Sequence, residues 1–283
     1  MQRAVVDRLR CPVCAQRLVE VSEPARALRC ARGHAFDLAR QGYVNLLAGR
    51  AAHDGDTAPM VAAREEFLAA GHYAAISGAL AAAAIRHLPP ADPAPLVVDA
   101  GGGTGRHLAA VLDAVPDAVG LVVDVSKPAL RRAARIHPRA DAALADTWRA
   151  LPLADEAAAV LLNVFAPRNG REFRRVLRAD GALLVVTPGP DHLRELVTSL
   201  GLLRVDPEKA DRIAAGLAGW FLPGPVHNDR DRLALSRAAA RALVAMGPSA
   251  WHADQRRLDD RLALLPEPIG VTVAVQLAVY RPR

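Results

Sequence analysis

All three cysteines of this 283-residue chain fall within twenty residues of one another, and a histidine follows them closely. The pattern is C-x2-C-x15-C-x3-H, and its four candidate ligands are Cys11, Cys14, Cys30 and His34. Zinc prefers a tetrahedral set of thiolate and imidazole ligands, and four protein ligands leave no open position for catalysis. The spacing therefore predicts a structural zinc site in a small N-terminal module.

Two other interpretations of the cysteines stay open. Free cysteines often serve as small core residues, so the cluster could arise without a metal. A disulfide would leave one thiol without a partner. Residues 1–7 contain no apolar segment, so we expect no secretory signal, and zinc fits the pattern best.

Positive charge is concentrated around this pattern. The net charge of the chain is +6, and residues 1–50 carry nine arginines and four acids, which accounts for +5 of it. The planar arginine side chain matches phosphate groups and base edges, so we expect this module to contact nucleic acid. The alternative is a general preference for arginine, because lysine is scarce throughout the chain.

The apolar runs of the chain are short. The longest, such as residues 157–162 and 182–186, fall far below the roughly 20 residues that a membrane-spanning helix needs. We therefore expect a cytoplasmic protein with no membrane partner.

The order of predicted elements indicates an α/β fold in three parts: a zinc module at 1–50, an exposed linker and helix at 51–70, and a main domain at 71–283. In the main domain apolar strands alternate with helices, which favours a parallel, doubly wound sheet. Residues 191–262 are predicted to be mostly helical around a strand near 220–226, and residues 270–280 to form a late antiparallel strand. The other predicted strands cover residues 119–123, 140–145, 157–163 and 182–187, and the helices cover residues 59–70, 73–88, 106–115, 128–136 and 170–177.

A short apolar strand at residues 95–100 runs into a G-G-G-T-G turn. Gly101, Gly103 and Gly105 let the backbone approach a ligand closely. The next strand ends at Asp124, whose carboxylate can accept hydrogen bonds from both hydroxyls of a ribose. By spacing alone, the turn suits NAD, FAD or S-adenosylmethionine.

Two further acids favour S-adenosylmethionine. Asp99 directly precedes the turn, where a negative charge suits the amino group of the donor's methionyl part better than a pyrophosphate. Asp146 follows the third strand and is placed to reach an adenine amino group. The alternative is that both are solvated loop acids.

Besides the zinc pattern, six segments stand out, at residues 42–47 (GYVNLL), 71–73 (GHY), 124–127 (DVSK), 165–167 (FAP), 187–193 (TPGPDHL) and 246–251 (MGPSAW). Together they resemble the bacterial 23S ribosomal RNA (guanine-N1)-methyltransferases. The branch they resemble most confers resistance to macrolides of the tylosin and mycinamycin type on actinobacterial producers. The resemblance extends over nearly the whole chain.

This resemblance implies a class I S-adenosylmethionine-dependent methyltransferase, with a guanine in a 23S rRNA hairpin near the peptide exit tunnel as its target. It also implies a homodimer and a zinc module that helps to bind RNA. The family's zinc ligands fall on Cys11, Cys14, Cys30 and His34, and its donor-binding positions on Tyr73, Gly103, Thr104 and His192. Family members can carry Cys and Glu where this chain has Gly102 and Thr104, so Thr104 would contact the donor through its backbone or hydroxyl.

The sequence assigns no catalytic base. Guanine N1 carries a proton that must be lost, and Asn163, near the end of the fourth strand, marks where an orienting or accepting group would lie. An unstacked target base needs an aromatic or arginine platform, although aromatic residues often pack in the core. The candidate platforms are Trp148, Phe165, Trp220, Phe221 and Trp251.

Two groups of arginines on predicted helices have two interpretations. They form either solvated outer faces or a second phosphate-binding surface. The groups are Arg131, Arg132, Arg135 and Arg139, and Arg168, Arg171, Arg174, Arg175 and Arg178.

Two other functions stay open. A small-molecule methyltransferase of natural-product biosynthesis would share the fold but has no evident use for a basic zinc module. A zinc-dependent nucleic-acid-binding regulator without enzymatic activity would not need the intact glycine turn with Asp99 and Asp124.

Overall fold

The computed structural model describes residues 1–22, 26–51, 53–89, 92–206, 208–247 and 255–283. The helices are α1 (Arg3–Val6), α2 (Ala58–Ala69), α3 (Ala74–His87), α4 (Arg106–Ala114), α5 (Lys127–Ala133), α6 (Gly170–Val176), α7 (Arg194–Leu200), α8 (Lys209–Leu217), α9 (Arg237–Ala245) and α10 (Gln255–Ala263). The strands are β1 (Leu18–Val21), β2 (Ala27–Cys30), β3 (Ala35–Asp37), β4 (Val44–Asn45), β5 (Leu96–Ala100), β6 (Val119–Asp124), β7 (Ala140–Leu144), β8 (Ala158–Val164), β9 (Leu177–Pro188), β10 (Phe221–Leu235) and β11 (Ile269–Pro282).

The zinc pattern surrounds a three-stranded antiparallel sheet of order β1-β2-β3. A tight turn before β1 is closed by the backbone N–H of Ala15, which donates to the carbonyl of Cys11 at 2.8 Å. A second turn follows β2, where the N–H of Gly33 donates to the carbonyl of Cys30 at 3.0 Å. The two turns therefore present the cysteines and the histidine from adjacent ends of short strands.

The main sheet has eight strands in the order β10-β11-β9-β8-β5-β6-β7-β4. The pairs from β9 to β4 are parallel, whereas β11 runs antiparallel to both β9 and β10. The predicted doubly wound sheet and its late antiparallel strand are confirmed. Chain order reverses at β5, which lies between β6 and β8, and in such sheets a crevice opens at that point beyond the carboxyl ends of the strands.

Each face of the sheet has its own apolar core. On one face, α3 and α4 pack with α2, α9 and α10 over the central strands. On the other face, α1 and α6 pack together with apolar residues of the zinc module. Leu18 and Leu28 of the module belong to the same buried cluster as Leu96 and Leu121 of the sheet. The module is thus packed on the sheet, and the boundary at residue 50 remains a prediction.

The C-terminal half contains more strand than we predicted. β10 extends over 15 residues instead of a short stretch near 220–226, so the mostly helical prediction for 191–262 was wrong there. The side chains along β10 are largely exposed, and several are charged. Charged residues are typical of an edge strand, where they discourage pairing with other chains. In β10 these residues interrupt the alternation of apolar and polar side chains by which a strand is predicted.

The segment predicted as an exposed linker is partly buried in the structure. His53, Gly55 and Asp56 are half-buried, and Gly55 and Asp56 lie against the start of α5. The hydroxyl of Ser126, the N-cap of α5, donates to the carbonyl of Asp56 at 2.6 Å. A Cβ at position 55 would lie 2.8 Å from the backbone nitrogen of Ser126, so glycine allows this contact.

No single helix among the described residues is long and apolar enough to cross a membrane. α2 and α3 together meet the criterion by length and composition, and they are bent by 78° at the break between them.

Candidate active site and metal centre

The four predicted zinc ligands converge. The ligand atoms of Cys11, Cys14, Cys30 and His34 all lie within 4.8 Å of one another. The two sulfur atoms of Cys14 and Cys30 are 3.7 Å apart, and His34 Nδ1 lies 3.6 Å from the sulfur of Cys11 and 3.3 Å from that of Cys30. Tetrahedral zinc with sulfur and nitrogen ligands separates its ligand atoms by roughly 3.5–3.8 Å. The donor set and its spacing therefore fit zinc.

The electrostatics of Cys30 support metal binding. Burial opposes ionisation of its thiol, but hydrogen bonds from His34 and from the backbone at Arg32 outweigh burial and lower the thiol pKa to about 6. The thiolate is the form that binds a metal, so the lowered pKa favours Cys30 as a ligand, whereas burial raises the pKa of the Cys11 thiol.

The glycine turn follows β5 and opens at the crevice of the main sheet. Gly101 has a φ of +75°, and a Cβ there would lie 2.6 Å from the Cβ of Ala166 in the loop after β8. At Gly102 an added Cβ would lie 2.5 Å from the carboxyl carbon of Asp99. Glycine is thus needed at both positions for the turn to fit between the acid and the neighbouring loop.

Asp99 is the least satisfied polar group of the crevice. It is buried, and neither of its carboxylate oxygens has a hydrogen-bond partner among the described residues. Burial, with a smaller contribution from Asp124, raises the pKa of Asp99 to about 7. A buried carboxylate without partners is costly, and a cationic ligand group is the partner that would compensate it.

Asp124, at the end of β6, holds the turn in place. Its Oδ2 accepts from the N–H of Gly103 at 2.9 Å, and its Oδ1 accepts from the N–H of Ser126 at 2.7 Å. Burial raises the pKa of Asp124, although these two N–H groups oppose the shift. Each carboxylate oxygen keeps a second lone pair that can accept from a ligand hydroxyl.

Two adjoining cavities lie beside the turn. The larger, of about 180 Å³, is lined by residues 53–56, the turn, Asp124 and the loop after β8. The smaller, of about 40 Å³, is lined by Tyr73, Asp99, Thr104 and neighbouring side chains. The crevice thus brings together predicted positions from three separate segments: Tyr73, Asp99, Gly101, Gly103, Thr104 and Asp124.

Three predicted residues lie outside these two linings. Gly105, the last residue of the turn, has a φ of +77° and is the N-cap of α4. Asp146 is buried and accepts from the N–H of Trp148 at 3.0 Å, while its neighbour Thr147 lines the larger cavity. His192 lies beside Tyr73, with 3.4 Å between its Nε2 and the tyrosine oxygen.

His192 reaches Tyr73 because the loop after β9 is fastened to β11. The N–H of Leu193 donates to the carbonyl of Thr272 at 2.8 Å, and Glu195 accepts from both the N–H and the hydroxyl of Thr272. Burial lowers the pKa of His192 to about 4, although a hydrogen bond with the backbone of Ala274 acts to raise it. The imidazole is therefore neutral at pH 7. Burial also raises the pKa of Tyr73, so its hydroxyl stays protonated.

Arg64 lines both cavities, although it was not among the site residues predicted from the sequence. Its Nη2 donates to Asp56 at 2.6 Å and to the carbonyl of Met246 at 2.9 Å, while its Nε is buried and has no partner among the described residues. Arg64 lies in the middle of α2 and belongs to no motif, so only the packing of α2 over the turn identifies it.

The candidate aromatic platforms differ in whether they line the two cavities. Phe165 lines both cavities, whereas Trp148 and Trp220 line neither. Phe221 is fully buried in the core, so its prediction as a base platform was wrong. Trp251 lies outside the described residues.

The two arginine groups also differ. In the second group, Arg175 and Arg178 form ion pairs with neighbouring acids. Arg168 is half-buried, and burial lowers its pKa to about 10. In the first group, Arg139 donates to backbone carbonyls at the end of α4. The exposed guanidinium groups without an ion pair among the described residues are those of Arg131, Arg132, Arg135 and Arg171.

The strand order, the glycine turn and the acids at the ends of β5 and β6 define a class I S-adenosylmethionine-dependent methyltransferase with an N-terminal zinc ribbon. Two solved structures share this fold at 16% identity. The YcgJ protein of Bacillus subtilis has a TM-score of 0.52 and covers 73% of this chain and 99% of its own. A methyltransferase in complex with the Haloferax volcanii Trm112 methyltransferase activator has a TM-score of 0.51, with 81% and 99% covered.

The chain belongs to the 23S rRNA (guanine-N1)-methyltransferase family. A relative in Micromonospora griseorubida that bears this family name is 63% identical over 100% of both chains. The 23S rRNA (guanine(748)-N(1))-methyltransferase of Streptomyces fradiae is 52% identical over 100% of this chain and 99% of its own. The zinc-ribbon family model described as "RlmA, N-terminal" matches residues 9–51. S-adenosylmethionine and structural zinc are thus the cofactors, and the unsatisfied Asp99 and the Cys11–His34 cluster fit them.

Proposed function

We propose that this protein transfers the methyl group of S-adenosylmethionine to N1 of a guanine in 23S rRNA. The proposed target is guanine 748, the nucleotide named for the Streptomyces fradiae relative. The observation that carries this proposal is the 52% identity to that enzyme over the full length of the chain. The basic N-terminal module and the donor-type crevice support it.

In this proposal, separate side chains hold each part of the donor. Asp99 pairs with the methionyl ammonium, and Arg64 with the methionyl carboxylate. Asp124 accepts from the ribose hydroxyls, and Asp146 from the adenine amino group. The turn residues Gly101, Gly103, Thr104 and Gly105 supply backbone contacts without bulk, and Tyr73 and His192 close the far side.

The donor supplies a methyl group on a positively charged sulfur. Transfer to N1 would break the methyl–sulfur bond and leave its electron pair on a neutral sulfur, and the N1 proton would pass to an acceptor beside the base. The side chains contribute by holding N1 in line with the methyl group and by excluding water. Asn163 stabilises the crevice, since its amide nitrogen donates to the carbonyls of Ala100 and Pro167 at 3.1 and 2.8 Å.

The zinc ribbon serves RNA recognition in this proposal. Its nine arginines outnumber its four acids, and zinc would fix the two turns of the ribbon that carries them. We also infer a homodimer, as the family resemblance implies, and a cytoplasmic location, because the rRNA substrate is found there.

Methylation at this guanine is proposed to confer resistance to macrolides of the tylosin type. Expression of the wild-type chain in a macrolide-sensitive bacterium without this methylation should raise the minimal inhibitory concentration of tylosin. Expression of the Asp99→Asn variant should leave that concentration unchanged, and this result would link resistance to methyl transfer.

The direct test is tritium transfer from labelled S-adenosylmethionine to unmethylated 23S rRNA, followed by primer extension. N1 methylation blocks the Watson–Crick edge, so reverse transcriptase should stop beside one guanine. Donor binding with no transfer to rRNA but transfer to a small molecule would replace the proposal by a biosynthetic methyltransferase. Failure to bind the donor would favour a regulator without enzymatic activity.

A further inference from the structure

Phe165 has an unusual backbone for an aromatic residue. Its φ is +51°, in the left-handed region that bulky side chains rarely adopt. Such strain persists only where the surrounding structure enforces it, and it is concentrated at functional sites. The conformation turns the ring out of the apolar core, so that 38% of the residue is exposed beside both cavities.

The surrounding structure holds Phe165 in this position. Its own N–H donates to the carbonyl of Val186 at 3.1 Å. The buried side chain of Asn163 bonds the carbonyls of Ala100 and Pro167, and so ties the loop after β8 to the end of β5. Gly101 leaves room for Ala166 next to the ring. The loop is thus fixed from both sides, and the ring is preorganised.

The ring of Phe165 lies beside two other rings, and both are tilted relative to it. Its centroid lies 6.3 Å from that of Tyr73 and 5.7 Å from that of His192. A base inserted between two rings needs about twice the stacking distance of roughly 3.4 Å, so these gaps are too narrow. A planar ligand must therefore stack on the part of Phe165 that lines the larger cavity, because neither Tyr73 nor His192 lines that cavity.

We infer that Phe165 is the stacking platform for the extruded purine base of the RNA substrate. This inference rests on the proposed function and assigns the methyl-accepting side of the crevice. A base on this ring lies next to the turn and Asp99, where the donor is proposed to bind. Aromatic stacking has no partner preference among bases, so Phe165 positions the base rather than selecting guanine.

The test uses four variants in the full chain: Phe165→Ala, Phe165→Trp, Phe165→Tyr and Trp220→Ala. Trp220 is a matched control because it is 40% exposed, like Phe165, and lines neither cavity. The measurements are the donor Kd by calorimetry, the melting temperature, and kcat/KM for methyl transfer to unmethylated 23S rRNA.

Phe165→Ala should lower kcat/KM about 10- to 100-fold, as expected for loss of one base–aromatic stack, with the donor Kd and melting temperature nearly unchanged. The Trp and Tyr variants should recover most of the rate, and Trp220→Ala should behave like wild type. A kcat/KM of Phe165→Ala within threefold of wild type overturns the inference. An equal loss of kcat/KM in all three Phe165 variants also overturns it, and so does a loss of donor affinity that parallels the loss of rate. If the wild-type chain transfers nothing to rRNA, the proposed function itself fails.

Discussion

Asp99 is kept in an environment that favours its neutral form until a cation binds. Its pKa, about 7 in the folded protein, exceeds the ordinary value of 3.8, so the folded state holds a proton that the unfolded chain has lost. Stability therefore falls as the pH rises from about 4 to 7. Asp99→Asn should raise the unfolding free energy of the donor-free protein at pH 8, by at most about 4 kcal/mol, and weaken donor binding at least 30-fold.

Denaturant unfolding and calorimetry measure both effects of Asp99→Asn. Asp117→Asn is the control, because Asp117 is an exposed acid away from the crevice. Unchanged donor affinity in Asp99→Asn would refute the pairing with the donor ammonium.

The same pKa predicts a pH dependence of donor binding. Below pH 7, binding of the ammonium must first remove the proton from Asp99. The donor Kd should therefore rise as the pH falls from 8 to 6, by at most roughly tenfold per pH unit. Calorimetry across this range checks the slope, and Asp99→Asn should abolish it. A flat profile in the wild type would contradict the assignment.

Arg64 is expected to bind the donor carboxylate. Its unpaired Nε and its position in both cavities favour this role. Arg64→Gln should raise the donor Kd about 10-fold, because a hydrogen bond to a charged group is lost. Arg64→Lys should recover only part of this affinity, since it lacks the planar fork, and Arg171→Gln should have no effect. An Arg64→Gln affinity equal to that of wild type would exclude the contact.

The zinc ribbon and the sheet are structurally coupled elements. α1 contributes Val5 and Val6 to the core that Leu18 and Leu28 of the ribbon share with the sheet. Loss of the metal should therefore expose apolar surface on the sheet as well as in the ribbon. We expect His34→Ala to lose its zinc and to lower the melting temperature of the main transition by at least about 5 °C.

Metal analysis should find one zinc per wild-type chain and one per His227→Ala chain, since His227 lies on the exposed edge strand β10. If His34→Ala loses zinc and still melts like wild type, the ribbon does not stabilise the sheet.

The whole molecule carries a basic groove between the zinc ribbon and α5. A cavity of about 540 Å³ there includes Arg40 and Arg135, and a second of about 330 Å³ continues past Arg131 and Arg132. All four are exposed and have no ion pair among the described residues. We expect RNA phosphates along this groove, since arginine forks match phosphate oxygens.

Changing Arg131, Arg132 and Arg135 together to Gln should weaken rRNA binding at low salt and reduce the slope of log K against log salt by about 2. Changing Arg86, Arg171 and Arg204 to Gln removes the same charge from other exposed positions and is the control. Filter binding at several salt concentrations measures the slopes. Equal slopes for both triple variants would mean that only the overall charge matters.

Much of the architecture follows from local sequence patterns. The strands of the parallel sheet are short apolar runs with both faces buried, and the glycine turn and the cysteine spacing need no distant contact to be recognised. The long strand β10 escaped prediction because an edge strand exposes charged side chains and loses its alternation. Phe221 was misassigned because an isolated aromatic residue carries no local sign of whether it packs or stacks.

The sequence by itself determined the zinc ligands, the order of strands and helices and the acids that follow β5 and β6, because these depend on spacing along the chain. Only the tertiary structure decided that Arg64 and residues 53–56 cover the crevice, that Phe165 turns toward it, and that β11 brings His192 to Tyr73. Those contacts join segments far apart in the chain, and they form through packing and backbone hydrogen bonds, which leave no local pattern in the sequence.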